Sequence, residues 1–542
     1  MEFDTVIVGA GSAGCVLADR LTADGRQSVL VLEAGPSDRR FWIQVPLGYG
    51  KSFYNSEVNW AYTTEPDPGF GGRRDYWPRG KVLGGSSAIN AMVYIRGHRA
   101  DYDDWKAAGN SGWGWDEVLP HFKAIECNEA GGDAWRGTEG PLHVSDVSAR
   151  VEGYCQSFIA AGEEAGLPFN PDFNGSSQEG VGHYQITTRN SRRMSAARAF
   201  LRPAMKRSNL RVETEAHVLR LTFEGKRATG LVYRRHNREV TVRARREVIV
   251  AAGAINTPQL LMLSGVGSGA ALQAHGIDVV HDNGNVGRHL QDHVGLNYTF
   301  GVTHPTLNEK LCTWPAKIAA GMQYLLAGRG PLSLSINHGG GFFRTNAARE
   351  RPNMQLYYQA MSMMTGKHDG KRPVLNPDPF RAIGLGLSAC RPTSRGHLEL
   401  RSSDPDDAPA IHPNAYGTNH DIEEMLEAVK FLRHLAGQPS LAAVITEELE
   451  PGPGVWTDEE LVDDIRARSG TVYHPSCTCR MGPDPAEAVV DSRLRVHGMK
   501  NLRVVDASVF PNVVSGNTNG PTMMTAHRAA DFILEETGRT KP

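Results

Sequence analysis

Phe3-Asp4-Thr5-Val6-Ile7-Val8-Gly9-Ala10-Gly11-Ser12-Ala13-Gly14 decides the reading of this 542-residue chain. Phe3 to Val8 is a short apolar strand pattern, and a glycine turn follows at once. A helix-like run, Cys15 to Leu21, comes next. A second strand, Ser28 to Leu32, then ends on Glu33. Strand, G-x-G-x-x-G, helix, strand and acid in this order form a dinucleotide fingerprint. Gly9 permits the tight turn, Gly11 lets backbone approach a pyrophosphate, and Gly14 lets helix pack on strand. The helix N-terminus, opening at Ser12, offers free N–H groups to phosphates. Glu33 lies 19 residues past Gly14, where an acid bonds ribose hydroxyls, with Ala34 beside it. A glycine-rich structural turn is the competing reading of the glycines alone. The two strands and the acid argue for an ADP-containing cofactor. NAD and FAD share this half of a site, so the motif does not choose between them.

The length calls for two or more domains. Hydrophobic residues make up 40% and charged residues 22%, the balance of an ordinary globular enzyme. A net charge of −2 gives no electrostatic case for nucleic acid or an anionic surface. No apolar run approaches the roughly 20 residues of a membrane helix. The first strand begins at Phe3, so no signal peptide is expected. The expected compartment is the cytoplasm, with peripheral contact at the inner membrane left open. Seven scattered cysteines do not read as a disulfide framework. Cys477-Thr478-Cys479 near His474 raises the question of a metal. Zinc sites want wider spacings and a second ligand pair. No metal is expected, and the two cysteines read as small residues of a packed loop.

Pro66 to Gly85 is rich in glycine, proline and aromatics, and reads as a loop wrapped on a ligand. Leu210 to Val250 alternates like successive strands and runs into Ala251-Ala252-Gly253. A helix is expected from Thr257 to Ser264, with Pro258 in its first turn. Strands are expected at Ala382 to Cys390 and Leu502 to Asp506, and helices at Asp421 to Leu435 and Thr522 to Glu535. The fold class is α/β (α+β overall). A discontinuous Rossmann-like domain is expected over 1–155, 195–302 and 466–542. A second domain, with an antiparallel sheet and flanking helices, is expected over 156–194 and 303–465.

Gly80-Lys81-Val82-Leu83-Gly84-Gly85-Ser86-Ser87-Ala88-Ile89-Asn90 resembles the first signature of the glucose–methanol–choline (GMC) oxidoreductases. Gly253-Ala254-Ile255-Asn256-Thr257-Pro258 through Ser264-Gly265-Val266-Gly267 resembles their second. Val286-Gly287-Arg288-His289-Leu290-Gln291-Asp292-His293 is also similar to the family pattern. The likeness covers almost the whole chain. Tyr94-Ile95-Arg96-Gly97-His98 and the C-terminal pattern resemble bacterial alcohol and choline dehydrogenases most. The resemblance implies FAD as cofactor. It implies that Val82, Gly85, Asn90, Met92 and Val93 line the flavin. It implies that Trp60 and Val218 sit by the adenine, and that Asp506, Ala507 and Thr518 hold the ribityl or pyrophosphate region. Some members attach flavin through a histidine; the matching position here is Ile89, so the FAD is expected to be non-covalent.

Oxidising an alcohol requires removal of its hydroxyl proton and transfer of a hydride from carbon. Among 20 histidines, His474 stands out, because Thr471-Val472-Tyr473-His474-Pro475 resembles the family's segment bearing the catalytic histidine. Asn517, in Ser515-Gly516-Asn517-Thr518-Asn519-Gly520-Pro521, is the implied partner, with Asn519 a rival for the role. His474 is thus the expected base and Asn517 the donor to the substrate oxygen. Packed-loop roles are the plainer alternatives for both residues. Choline-specific relatives carry an acid where this chain has His338, and a quaternary ammonium wants a carboxylate or aromatic cage. His338 is either a substrate contact or a solvent-facing loop residue. Tyr357, Tyr358, Met361, Met363, Met364 and Trp314 either line an apolar channel or pack in the ordinary way. The expected reaction is oxidation of an uncharged primary alcohol, aliphatic or aromatic. Its electrons would pass to a quinone, another carrier or oxygen. Choline-like or polyol oxidation is the alternative; a lyase, a non-catalytic flavoprotein and an NAD enzyme rank below it.

Overall fold

The computed structural model describes residues 1–151, 153–363 and 377–538. Two sheets organise them. In the first, Leu210–Glu213, Val29–Leu32, Glu2–Val8, Arg238–Val250 and Leu502–Val504 lie parallel in that order. Val29 to Leu32 and Val248 to Val250 are completely or almost completely buried, because a parallel sheet is covered on both faces. Each such side chain contributes about 1.5–3 kcal/mol. The 13-residue strand Arg238–Val250 has two neighbours on one side. Its first half pairs antiparallel with Arg227–Arg235, which pairs in turn with His217–Glu224. Its last three residues pair with Leu502–Val504. The chain's two ends therefore share one sheet. Helices Ser12–Thr22 and Asn519–Glu536 pack against each other, tied by the Arg20–Asp531 ion pair at 2.7 Å.

The second sheet is antiparallel throughout. Its order is Ile445–Glu450, Val294–Val302, Ala382–Ala389, Met354–Gln359, Asn337–Phe343, Gly180–His183. Leu296, Tyr298 and Phe300, with Met354, Leu356 and Tyr358, join the core shared with helices Tyr154–Glu164 and Asn419–Ala436. Strand alternation sends Gln355 and Tyr357 to the opposite face, where Tyr357 and Phe342 pack with Val93 and Ile95.

Two elements lie at or across the expected domain limits. Val294–Val302 belongs to the antiparallel sheet and not with residues 195–302, since its buried alternate residues need that sheet's helices. Helix Tyr154–Glu164 straddles the limit at 155 and packs whole on the same core. The helix expected from Thr257 begins earlier, at Gly253, which leaves Pro258 inside it. Proline has no N–H to give the Ala254 carbonyl one turn back. The Thr478 hydroxyl takes that carbonyl instead, at 2.7 Å. Cys477, Thr478 and Cys479 are all fully buried, and burial pushes the Cys477 thiol up to about 12. The Cys-Thr-Cys segment thus closes a gap in a helix. Replacing Thr478 by Val keeps the shape and leaves a buried carbonyl unpaired. The expected loss is about 1–3 kcal/mol of stability, read as a lower Tm of the holoenzyme; an unchanged Tm would show that the hydroxyl does not hold the helix.

Candidate active site

The glycine turn follows the Glu2–Val8 strand, with Gly9 at φ +95°. The Gly80–Ser87 loop lies directly on this turn. Gly84 N–H donates to Ala10 C=O at 2.7 Å. Gly85 has φ +53°, and a Cβ there would stand 2.7 Å from Gly11 Cα. No side chain fits that contact. Gly14 lies under Gly9, at the close helix–strand approach expected of it. Ser12 Oγ donates to Asn519 Oδ1 at 2.7 Å, which joins the N-termini of two long helices. Neither helix has a side-chain bond at its N-cap, Gly11 in one and Thr518 in the other. Two positive helix ends meet there.

Glu33 ends the Val29–Leu32 strand. It accepts N–H groups from Ala10 and Gly35, both at 2.9 Å. Burial raises its pKa to about 7. Each carboxylate oxygen keeps a lone pair for a ribose hydroxyl. Ala34 follows it, partly exposed. Trp60 stacks on Tyr62, with Lys81 over its ring at 4.6 Å, and lies 5.6 Å from His217, the neighbour of Val218. Val82 is fully buried and clusters with Ile89. Asn90 Oδ1 accepts from Met92 N–H at 3.1 Å and Arg193 Nη1 at 2.7 Å. Met92 takes φ +64°, and Val93 packs beside Tyr357. Asp506 accepts from Gly253 N–H at 2.8 Å and from the Thr257 hydroxyl at 2.6 Å, fastening that helix start to the returning strand. Burial raises its pKa. The Ala507 carbonyl accepts Cys477 N–H at 3.1 Å. Paired helix ends, an acid beside the turn and an aromatic surface at Trp60 fit the ADP half of FAD.

A second group of residues meets at His474. The Asp292 carboxylate accepts His474 N–H at 2.7 Å and also the Thr471 hydroxyl. Burial raises the Asp292 pKa to about 7, against the pull of Thr471 and Arg79. Val472 N–H donates to the His293 carbonyl at 3.0 Å. His293 Nε2 lies 3.0 Å from the Cys390 carbonyl oxygen. Its Nδ1 lies 2.9 Å from His474 Nδ1. His474 Nε2 lies 3.2 Å from Asn517 Nδ2.

One arrangement of protons satisfies these contacts. A carbonyl only accepts, so His293 carries its proton on Nε2. Its Nδ1 then accepts from His474 Nδ1–H. His474 Nε2 is left with a lone pair turned towards the Asn517 amide. Gln355 Nε2 donates to Asn517 Oδ1 at 3.3 Å and to Tyr184 Oη at 3.0 Å. Tyr357 O–H donates to Gln355 Oε1 at 2.8 Å. The Asn517 NH₂ is thereby aimed at His474. Burial holds the His474 pKa well below 6.5, with His293 and Arg79 pushing the same way. Burial holds His293 at about 4.

Of the rival asparagines, Asn517 meets His474, whereas Asn519 is engaged with Ser12. His338 is buried in the Asn337–Phe343 strand and is no solvent-facing loop residue. The suggested channel residues do not form one wall. Tyr357 and Tyr358 point to opposite faces, Met361 and Met363 pack with the helix-covered core, and Trp314 is 78% exposed on a helix. Met364 lies outside the described residues. Asp292, His293, Gln355 and Tyr357 carry contacts that the sequence reading did not assign. His293 stood inside a quoted motif and was given no role; nothing in the sequence marked Gln355.

The chain matches the family model described as GMC oxidoreductase in its N-terminal part, residues 3–295, and its C-terminal part, residues 392–526. It is 44% identical to an alcohol dehydrogenase [acceptor] of Pseudomonas putida, over 98% of this chain and 96% of that protein. It is 42% identical to the mitochondrial choline dehydrogenase of Mus musculus, over 98% of this chain and 89% of that protein. Among solved structures it resembles pyridoxine 4-oxidase from Mesorbium loti. That match has a TM-score of 0.88 and 32% identity, over 97% of this chain and 98% of that one. With both halves of the family model matched and the glycine cradle in place, the chain belongs to the GMC oxidoreductase family, flavoproteins that bind FAD and act on CH–OH donors.

Proposed function

We propose that this protein oxidises an uncharged primary alcohol, aliphatic or aromatic, to its aldehyde, with a quinone-type carrier or oxygen taking up the electrons. FAD, held without a covalent bond, supplies the hydride-accepting ring. The reading rests on one observation above all: His474 Nε2 lies 3.2 Å from the Asn517 amide nitrogen. His474 Nε2 takes the hydroxyl proton, and Asn517 Nδ2–H donates to the substrate oxygen and holds it in place. His293 keeps Nδ1 of His474 occupied, so only Nε2 can act as base. The low pKa of His474 keeps the ring neutral at neutral pH, ready to accept.

Choline is a weaker fit. Asp292, the carboxylate bonded to the His474 segment, already accepts from His474 N–H and the Thr471 hydroxyl. The equivalent of the choline enzymes' acid is His338, buried in its strand. Bleaching of the anaerobic flavin spectrum by a panel of primary alcohols, polyols and choline tests the substrate class. Preferential bleaching by choline would reverse the assignment.

His474→Ala is expected to slow flavin reduction by about 10²–10⁴; near-normal reduction would remove His474 from the mechanism. A base with a lowered pKa is unprotonated down to that pKa, so reduction rates should be flat through neutral pH. They should fall only as pH drops below the ordinary histidine value of about 6.5. An acid limb centred above it would contradict the environment described for His474. Acid precipitation should release all the yellow colour into the supernatant. Colour retained in the washed pellet would mean a covalent flavin.

A further inference from the structure

The helix Trp314–Ala327 turns its apolar side outward. Trp314, Ile318, Met322, Leu325 and Leu326 are 78%, 59%, 56%, 68% and 81% exposed. Their spacing puts them on one stripe along about 21 Å of helix. On the other side only Ala320 and Tyr324 are buried. Tyr324 O–H donates to the Ser191 carbonyl at 3.0 Å, and Ser191 Oγ donates to the Gly328 carbonyl. Those bonds moor the helix end to the Thr188–Arg193 hairpin. A helix covering its own core has the reverse pattern. An outward apolar stripe of this size marks a contact surface.

The surroundings of the stripe are cationic. Arg189 and Arg192 of the mooring hairpin are exposed, Arg329 follows the helix, and Lys317 lies 5.8 Å over the Trp314 ring. None of these four has an ion-pair partner among the described residues. Phe41 and Trp42, 53% and 44% exposed, sit on the short helix Phe41–Gln44, which packs against the same hairpin and extends the apolar area.

From these features we infer that this face docks peripherally on an anionic lipid surface. The apolar stripe enters the headgroup–acyl boundary, and the unpaired arginines and lysine meet the anionic headgroups. Their aliphatic stems cover the edge of the stripe. No helix among the described residues is long and apolar enough to cross a membrane, so the contact lies on the surface. The docking helix packs on Pro331–Ser333, which packs on Pro46–Gly48. The next helix, Tyr49–Ser52, leads into the Phe53, Tyr54, Tyr76 and Tyr473 aromatic group beside His474. The lipid contact stands whatever alcohol is oxidised.

The test is flotation of the holoenzyme with vesicles of phosphatidylcholine containing phosphatidylglycerol, and with vesicles of phosphatidylcholine alone. Recovery with the anionic vesicles is expected, falling with added salt. Ile318→Gln with Leu326→Gln should lower that recovery at least about tenfold. Dye-linked alcohol turnover should stay unchanged, because neither side chain is part of the core or the site. Arg189→Gln with Arg192→Gln should remove the preference for anionic vesicles. Failure of the wild type to float with either vesicle would overturn the proposal. So would equal flotation with both vesicles, or undiminished flotation of the apolar double variant. A dimer that dissolves in that variant, without vesicle binding, would assign the face to a second copy of the chain instead.

Discussion

The contact of Gly85 on Gly11 is the constraint from which the site is built. Two loops far apart in sequence meet backbone to backbone, and the Gly84-to-Ala10 hydrogen bond closes the join. A side chain at Gly85 would lift the Gly80–Ser87 loop off the glycine turn. Asn90, Met92 and Val93 follow that loop, and Val93 packs against Tyr357 of the antiparallel sheet. The position of one sheet's face relative to the other's cofactor turn is therefore transmitted through this join. Close approach of main chains, with no side chain between them, does what an ordinary apolar interface cannot: it leaves N–H groups near the place where phosphates must sit.

The group of side chains around His474 is assembled from segments that neither sheet holds alone. His293 stands at the start of Val294–Val302, Cys390 follows Ala382–Ala389, and Gln355 lies in Met354–Gln359. His474 and Asn517 come from loops before and after the Leu502–Val504 strand. Asp292 pins the His474 backbone, while His293 and Gln355 aim the two side chains. A histidine acting as base needs one nitrogen occupied and one free, and the role proposed for His474 rests on a carbonyl two hydrogen bonds away from its Nε2.

Much of this was legible because local chemistry and long-range structure agree at the ends of the chain. The turn at Gly9 to Gly14, the acid at Glu33 and the unbroken apolar runs all demand a parallel sheet, and the Leu502 strand joins it. His474 and Asn517 were singled out through their resemblance to family segments, and the fold brings the two side chains together. What escaped the sequence was tertiary. Sequence alone keeps Val294–Val302 with residues 195–302, and its pairing in the antiparallel sheet shows only in the fold. Pro258 looks like a first-turn proline until Thr478, distant in sequence, supplies the missing donor. The adjacent Tyr357 and Tyr358 look alike, yet the pleat sends one to the site and the other to the core. Gln355 carries no pattern at all; its role exists only through the partners that three strands bring to it.

The Cys390 carbonyl is a peptide group, and no side-chain substitution can delete it. It can only be turned. The Cys390 N–H, in the peptide group just before it, donates to the Asn353 carbonyl at 2.8 Å, and the carbonyl of nearby Pro392 accepts from Gln291 at 2.7 Å. If a relative's loop rotates that peptide plane, His293 is freed to carry its proton on the other nitrogen, and the lone pair at His474 Nε2 is no longer assured. Such a protein would keep His474 and Asn517 and lose the proton arrangement on which the proposed chemistry rests. For a protein with this arrangement, the orientation of one amide plane matters to the base as much as the identity of the two side chains.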